Sequence, residues 1–146
     1  VGQLAVFPGA VNGVPSRVDL SIDVRDVDGA RRDATVATIR ASMDEVATRR
    51  GVRVEVVTLS DDPPATMDAG LIDVLDAAAK DAGVATHRLP SRAYHDSLFM
   101  PRTCPTAMLF VPCRDGVSHR PDEFATEADM AAGVRVLAHA LARLAG

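Results

Sequence analysis

Apolar and polar residues alternate cleanly from Val18 to Asp26. Val18, Leu20, Ile22 and Val24 fall on one side, and Asp19, Ser21, Asp23 and Arg25 on the other. A period of two is that of a strand with one buried face. Gln3 to Phe7 is a second apolar-rich stretch, parted from the first by Pro8-Gly9 and Asn12-Gly13-Val14-Pro15. Those are turn-forming pairs, so the two stretches predict antiparallel strands. After Asp28-Gly29 the period changes. Val36, Ile39, Met43 and Val46 recur every three or four residues, which predicts an amphipathic helix. Arg49 and Arg50 suit its last turn and Gly51 its C-cap. Val52, Val54 and Val56 then predict a third strand. The order is β-β-α-β, the pattern of a β-α-β-β-α-β unit lacking its first strand and helix.

Ser60-Asp61-Asp62-Pro63-Pro64 stops any regular element and marks a boundary. Residues 1–60 and 65–146 are therefore expected to form separate domains. From Met67 to Ala82 a second helix carries Leu71, Val74, Leu75 and Ala78 on one side, with Gly83 closing it. Val84 to Leu89 predicts a short strand. Ala107 to Val111 is almost wholly apolar, as in a strand covered on both faces. Thr126-Glu127-Ala128-Asp129 resembles a capping box. Met130, Val134, Leu137, Leu141 and Leu144 give the last helix its buried stripe. The second part thus predicts an α/β layer.

Composition narrows the function classes. Of the 146 residues, 47% are hydrophobic and 25% charged, ordinary values for a globular chain. The net charge of −4 leaves no electrostatic footprint for nucleic acid. No apolar run approaches a membrane span, and a cytoplasmic setting is expected. Cys104 and Cys113 match no zinc or disulfide framework and are read as reduced thiols. Dinucleotide, P-loop and G-x-S-x-G patterns are absent, which argues against a serine hydrolase. Val1 stands without an initiator methionine before a strand already under way, so a fragment of a longer polypeptide is expected.

The chemistry-bearing residues gather in two places. His95 and His119 lie on either side of Ala107–Val111, each in a polar segment beside carboxylates: Asp96 for the first, Asp122 and Glu123 for the second. His119 can ligate a metal or stand as a solvated loop residue; one histidine does not make a metal site. His95 can act as ligand, acid/base group or donor, or simply cap the following turn. Tyr94 can offer its hydroxyl to a polar substrate or pack with that hydroxyl at the surface. Near the N-terminus, Arg25 can clamp a carboxylate through two hydrogen bonds or pair with Asp23 or Asp26. Asn12 can donate to an oxyanion or serve only the turn. His87 and His139 read as structural.

Taken together, N-x-V-P, the strand ending D-V-R-D, R-G-V, S-R-A-Y-H-D-S-L-F-M, A-M-L-F-V-P and G-V-S-H-R-P-D-E resemble the C-terminal part of a family of metal-dependent amidohydrolases. That family includes allantoate amidohydrolase, ureidoglycolate amidohydrolase, N-carbamoyl-L-amino-acid hydrolase and β-ureidopropionase, within the aminoacylase/carboxypeptidase-like metallopeptidases. The resemblance implies an α/β fold of two parts. Residues 1–60 would be an incomplete lid and dimerisation domain, and 65–146 the closing segment of the catalytic domain. It implies His119 as a metal ligand, Asn12 and Arg25 as lid residues holding the substrate's oxygen and carboxylate, and Arg92, Ala93, Tyr94 and His95 as a substrate-contacting loop.

Where the allantoate and carbamoylase pattern reads S-G-A-G-H-D-A, this chain has Arg92 and Tyr94 in place of the glycines. S-R-A-Y-H-D-S-L-F-M is closer to ureidoglycolate amidohydrolase, and a tyrosine ring fills space that a glycine leaves open. The resemblance implies hydrolysis of a ureido C–N bond with release of ammonia and carbon dioxide, in purine or pyrimidine catabolism. The implied cofactors are two divalent ions, zinc or manganese, and the implied assembly is a homodimer. The general-base glutamate and most metal ligands are expected upstream, so residues 1–146 alone are expected to be inactive. Two other readings stand beside this one: a non-catalytic truncated homologue that serves as a dimerisation module, and an aminoacylase-like peptidase.

Overall fold

A computed structural model describes residues 1–146, which divide into two compact units, Val1–Pro64 and Ala65–Gly146. In the first unit, strands β1 (Gln3–Phe7) and β2 (Arg17–Ser21) pair antiparallel. Leu4 faces Leu20 and Val6 faces Val18, so one face of the ribbon is apolar. On the other face Phe7 opposes Arg17, whose guanidinium lies 4.2 Å from the ring centroid. In the connecting loop, Gly9 has φ 74, and a Cβ there would stand 3.1 Å from the Val6 carbonyl oxygen, so glycine is required. The Ser16 N–H donates to the Phe7 carbonyl and closes the loop at 2.9 Å.

β2 stops at Ser21, short of the predicted end at Asp26. The ladder ends where β1 does, since Gln3 is the partner of Ser21. Beyond it, Asp23 and Asp26 turn their carboxylates to Arg25 and Arg31, and Asp26 also accepts the Asp28 backbone N–H at 2.9 Å. Helix α1 (Gly29–Arg50) follows, its first turn capped by Asp28, whose carboxylate accepts the Arg31 N–H at 3.1 Å. Val36, Ile39 and Met43 are half-buried along its inner face, whereas Val46 is exposed. Gly51 ends the helix in the left-handed region, φ 64, as its place in the sequence predicts.

The predicted third strand at Val52–Val56 does not form a ladder. Side chains tie the end of this stretch to α1 instead. Arg40 donates to the Thr58 hydroxyl at 2.9 Å, and Arg32 holds the Asp61 carboxylate at 2.9 Å and the Asp62 carbonyl.

In the second unit, α2 (Ala69–Asp81) and α3 (Glu127–Leu144) pack against each other. Asp68 caps α2 by accepting the Leu71 N–H at 2.8 Å. Thr126 caps α3 by accepting the Asp129 N–H at 3.1 Å, and its hydroxyl also meets the Asp129 carboxylate. The buried core is Ala78, Ala79, Val136 and Ala140, flanked by Val74, Leu75, Ala82 and Val84. An ion pair between Asp81 and Arg143, with Nε 2.9 Å from the carboxylate, joins the two helix ends. α3 lies close against residues 107–111: a Cβ on Gly133 would stand 2.6 Å from Val111 Cγ1.

The predicted strands Val84–Leu89 and Ala107–Val111 carry no ladder either. A ladder needs a second strand, and neither stretch meets one within the chain. Arg88 instead bonds Asp76 at 2.7 Å and Asp73 at 2.6 Å on α2, with Thr86 at 3.2 Å from Asp76. No helix is long and apolar enough to cross a membrane.

Candidate functional site

The loop after Pro90 presents the first group of candidates. Its segment 96–102 winds into two short 3-10 turns, Asp96–Leu98 and Met100–Arg102. His95 sits at the N-cap of the first without making a side-chain capping bond. Its partner is Ser91 rather than Asp96: Nε2 lies 2.9 Å from the Ser91 hydroxyl oxygen. The same oxygen accepts the Ala93 N–H at 3.4 Å, drawing the four-residue span into a tight arc. The imidazole is half-buried and rests 5.9 Å from the Phe110 ring centroid. Tyr94 meets a different aromatic ring. Its ring meets Phe99 edge-on at 5.8 Å, Arg102 covers Phe99 at 4.9 Å, and Tyr94 remains 55% exposed. Arg92 is exposed and Ala93 half-buried. The aromatic contact thus fixes the base of the Tyr94 ring and leaves area open for a ligand.

His119 is held quite differently. The loop around it opens with a 3-10 turn at Arg114–Gly116 in which Asp115 and Gly116 both have positive φ. Its ends are drawn together by the Arg114 N–H donating to the Phe124 carbonyl at 2.8 Å, with the Arg114 guanidinium 4.6 Å over the Phe124 ring. Cys113 Sγ reaches the Val117 carbonyl at 3.1 Å. His119 itself has φ 61, in the left-handed region that costs a side-chain-bearing residue about 1–2 kcal/mol. Of its two neighbouring carboxylates, Asp122 is paired with Arg120 at 2.9 and 2.7 Å. Glu123 accepts the His119 backbone N–H at 2.8 Å. Neither touches the imidazole. Nδ1 lies 2.6 Å from the Ser118 hydroxyl oxygen, and His119 as a whole is exposed.

Asn12 and Arg25 belong to the first unit. Asn12 is exposed in the β1–β2 turn. Arg25 grips Asp23 with Nε at 2.9 and 3.1 Å and Nη2 at 2.6 Å. That hydrogen bonding holds the Asp23 carboxyl below its ordinary value of 3.8. The guanidinium is therefore set to grip a carboxylate, and it holds Asp23 in this way.

The donor set limits what this chain does with a metal. No three His, Cys, Asp or Glu side chains converge to hold an ion, whereas a catalytic zinc takes about three protein ligands. His119, an exposed residue with Nδ1 engaged by Ser118, fits the role of a single ligand and no more. The apolar groove lined by Leu71, Leu75, Leu137 and Leu141 contains none of the candidate residues and is a packing groove between α2 and α3. Sequence reasoning overlooked Ser91 and Ser118, and named Glu123 beside His119 without giving it the backbone bond it makes. Their signal was spacing: a hydroxyl four residues before one histidine, and a hydroxyl and a carboxylate at minus one and plus four from the other.

Two units of this build match one family. Residues 3–143 match the model of Peptidase family M20/M25/M40, and the chain belongs to that family. Among curated relatives it is 46% identical, over 99% of its length, to the ureidoglycolate hydrolase of Oryza sativa subsp. japonica. It is 37% identical, again over 99%, to an N-carbamoyl-L-amino acid amidohydrolase of Geobacillus stearothermophilus. It spans 30% of the length of the first and 36% of the second. The crystal structure of AtUAH in complex with (S)-hydroxyglycine superposes with a TM-score of 0.91 at 43% identity, covering 99% of this chain and 34% of that one. The α/β architecture is therefore that of about a third of such a chain.

Proposed function

We propose that this chain is the C-terminal part of a metal-dependent amidohydrolase that cleaves the C–N bond of a linear ureido acid, with ureidoglycolate the favoured substrate. One observation carries the reading: the loop from Ser91 to Met100 and the His119 loop lie within an alignment at 46% identity over nearly the whole chain to a ureidoglycolate hydrolase. The residues suit that chemistry. Arg25 already holds a carboxylate bidentately, and exchanging Asp23 for a substrate carboxylate keeps the charge-assisted bonds. Asn12 offers an amide N–H to the carbonyl oxygen where negative charge develops. Arg92, Ala93, Tyr94 and His95 line the substrate, the Tyr94 hydroxyl reaching a small hydroxy acid of the kind that (S)-hydroxyglycine represents in AtUAH. His119 contributes one nitrogen to a two-metal centre whose other ligands, with the general-base glutamate, are supplied outside residues 1–146. Zinc or manganese suits such a mixed donor set, and bound ions supply Lewis acidity toward the ureido carbonyl. Residues 1–60 serve as lid and dimer interface of a cytoplasmic homodimer.

The test is ammonia release by the full-length protein, loaded with zinc or manganese, on ureidoglycolate, allantoate and N-carbamoyl amino acids. The expected result is turnover of ureidoglycolate at the highest kcat/KM, and none by residues 1–146 alone. Turnover of N-acyl amino acids in preference to ureido acids would overturn the substrate class. Ammonia release by the isolated chain would overturn the division of the active site.

A further inference from the structure

We propose that Glu123 and Ser118 are positioning residues that aim His119 Nε2 at the metal; this rests on the reading of His119 as a ligand. His119 is one of two non-glycine residues in the chain with positive φ, a conformation that persists only when its surroundings over-determine it. The over-determination is visible. Glu123 Oε2 accepts the His119 N–H at 2.8 Å, a charge-assisted bond across four residues that holds the peptide plane in place. The competing carboxylate, Asp122, is occupied by Arg120 through both oxygens.

With the backbone set, Ser118 decides between the ring nitrogens. Its hydroxyl oxygen is 2.6 Å from Nδ1, so that nitrogen is engaged within the loop and Nε2 is the one left for a ligand. When Nδ1 carries the proton and donates it to Ser118, Nε2 keeps its lone pair, which is the form a metal takes up. His95 shows the opposite choice: its Nε2 is engaged by Ser91 and its Nδ1 is left. The two histidines therefore differ in which nitrogen they offer, and in each case a serine makes the selection. An aspartate or glutamate on the ring would also orient it, but here the nearest glutamate acts on the backbone instead.

The experiment uses the full-length protein. Divalent-metal affinity is measured by chelator competition, and amide hydrogen exchange by mass spectrometry on the metal-free form, for Glu123→Ala, Glu123→Gln, Ser118→Ala and His119→Ala. Glu123→Ala and Ser118→Ala are expected to weaken metal binding by about 10- to 100-fold. Glu123→Gln, whose amide oxygen still accepts the His119 N–H, is expected to retain most of the affinity. Faster exchange in Glu123→Ala should be confined to the peptide spanning residues 117–124, with α3 unchanged; a merely structural role would loosen α3 as well. If His119→Ala weakens binding and Glu123→Ala does not, or if Glu123→Gln is as impaired as Glu123→Ala, the positioning role falls. If His119→Ala leaves the affinity intact, the assignment of His119 as a ligand falls, and the positioning role with it.

Discussion

Gly133 is where a single methyl group tests the packing of the second unit. In an exposed helix interior, glycine to alanine gains about 1 kcal/mol of helix propensity. Here the added Cβ would lie 2.6 Å from Val111 Cγ1, against a comfortable carbon–carbon separation of about 3.5–4.0 Å. α3 or residues 107–111 must give by about 1 Å, because a β-branched valine has little rotamer freedom with which to retreat. Overpacking of that size costs about 1–3 kcal/mol. The balance is a net destabilisation of about 1 kcal/mol for Gly133→Ala. Removing the obstacle reverses the sign: in a Val111→Ala background the same change should stabilise by about 1 kcal/mol. The two positions therefore couple by about 2 kcal/mol in a double-mutant cycle. Urea unfolding of the four proteins, followed by helical circular dichroism, reads the coupling. An equal gain in stability from Gly133→Ala in both backgrounds would refute the close approach of α3 to Val111.

Other measurements probe the core, the charges and the substrate loop. Val136 is 2% exposed, so Val136→Ala should lower stability by about 1.5–3 kcal/mol, read by the same unfolding assay. Asp26 is held well below its ordinary value of 3.8, first by the Arg31 hydrogen bond and then by the Asp28 N–H. The unfolded chain binds the proton more readily, so this contribution to stability is present above that ordinary value and is lost as pH falls below it. Asp26→Asn should therefore flatten the acid limb of stability against pH, leaving the part due to Asp23 and Asp76, whose carboxyls Arg25 and Arg88 also hold low; an unchanged acid limb would remove Asp26 from it. Tyr94→Phe in the full-length protein should cut kcat/KM for ureidoglycolate by up to about tenfold, the worth of one neutral hydrogen bond. An unchanged value would place the hydroxyl away from the substrate.

Local signals were readable in the residues and non-local ones were not. The α1 stop at Gly51 and the Thr126 cap of α3 depend on neighbours within four residues, and both formed as the sequence predicts. Asp28 and Asp68 show the same logic overlooked: each caps a helix by accepting an N–H three residues on. The stretches at 52–56, 84–89 and 107–111 have the composition of strands, but composition does not say whether a partner exists. At the site, the residues left open whether Arg25 meets an outside carboxylate or pairs with Asp23 or Asp26, and the bond to Asp23 is the one present in the fold. The left-handed conformation of His119 had no trace in the residue itself; only Ser118 and Glu123, read together with it, hint at a constrained ring.

The unladdered stretches bear on how the chain behaves as a solute. Val52–Leu59 and Ala107–Val111 leave peptide groups without a sheet to satisfy them, and Val57 and Leu59 are 69% and 89% exposed. Such stretches template pairing with other copies of themselves and seed aggregation. Arg53 and Glu55 interrupt the first with charges of opposite sign, a built-in gatekeeper against stacking in register. The second has no such guard between Ala107 and Val111. Precipitation of residues 1–146 taken alone should therefore begin there, and Phe110→Lys, at an exposed position, should delay it.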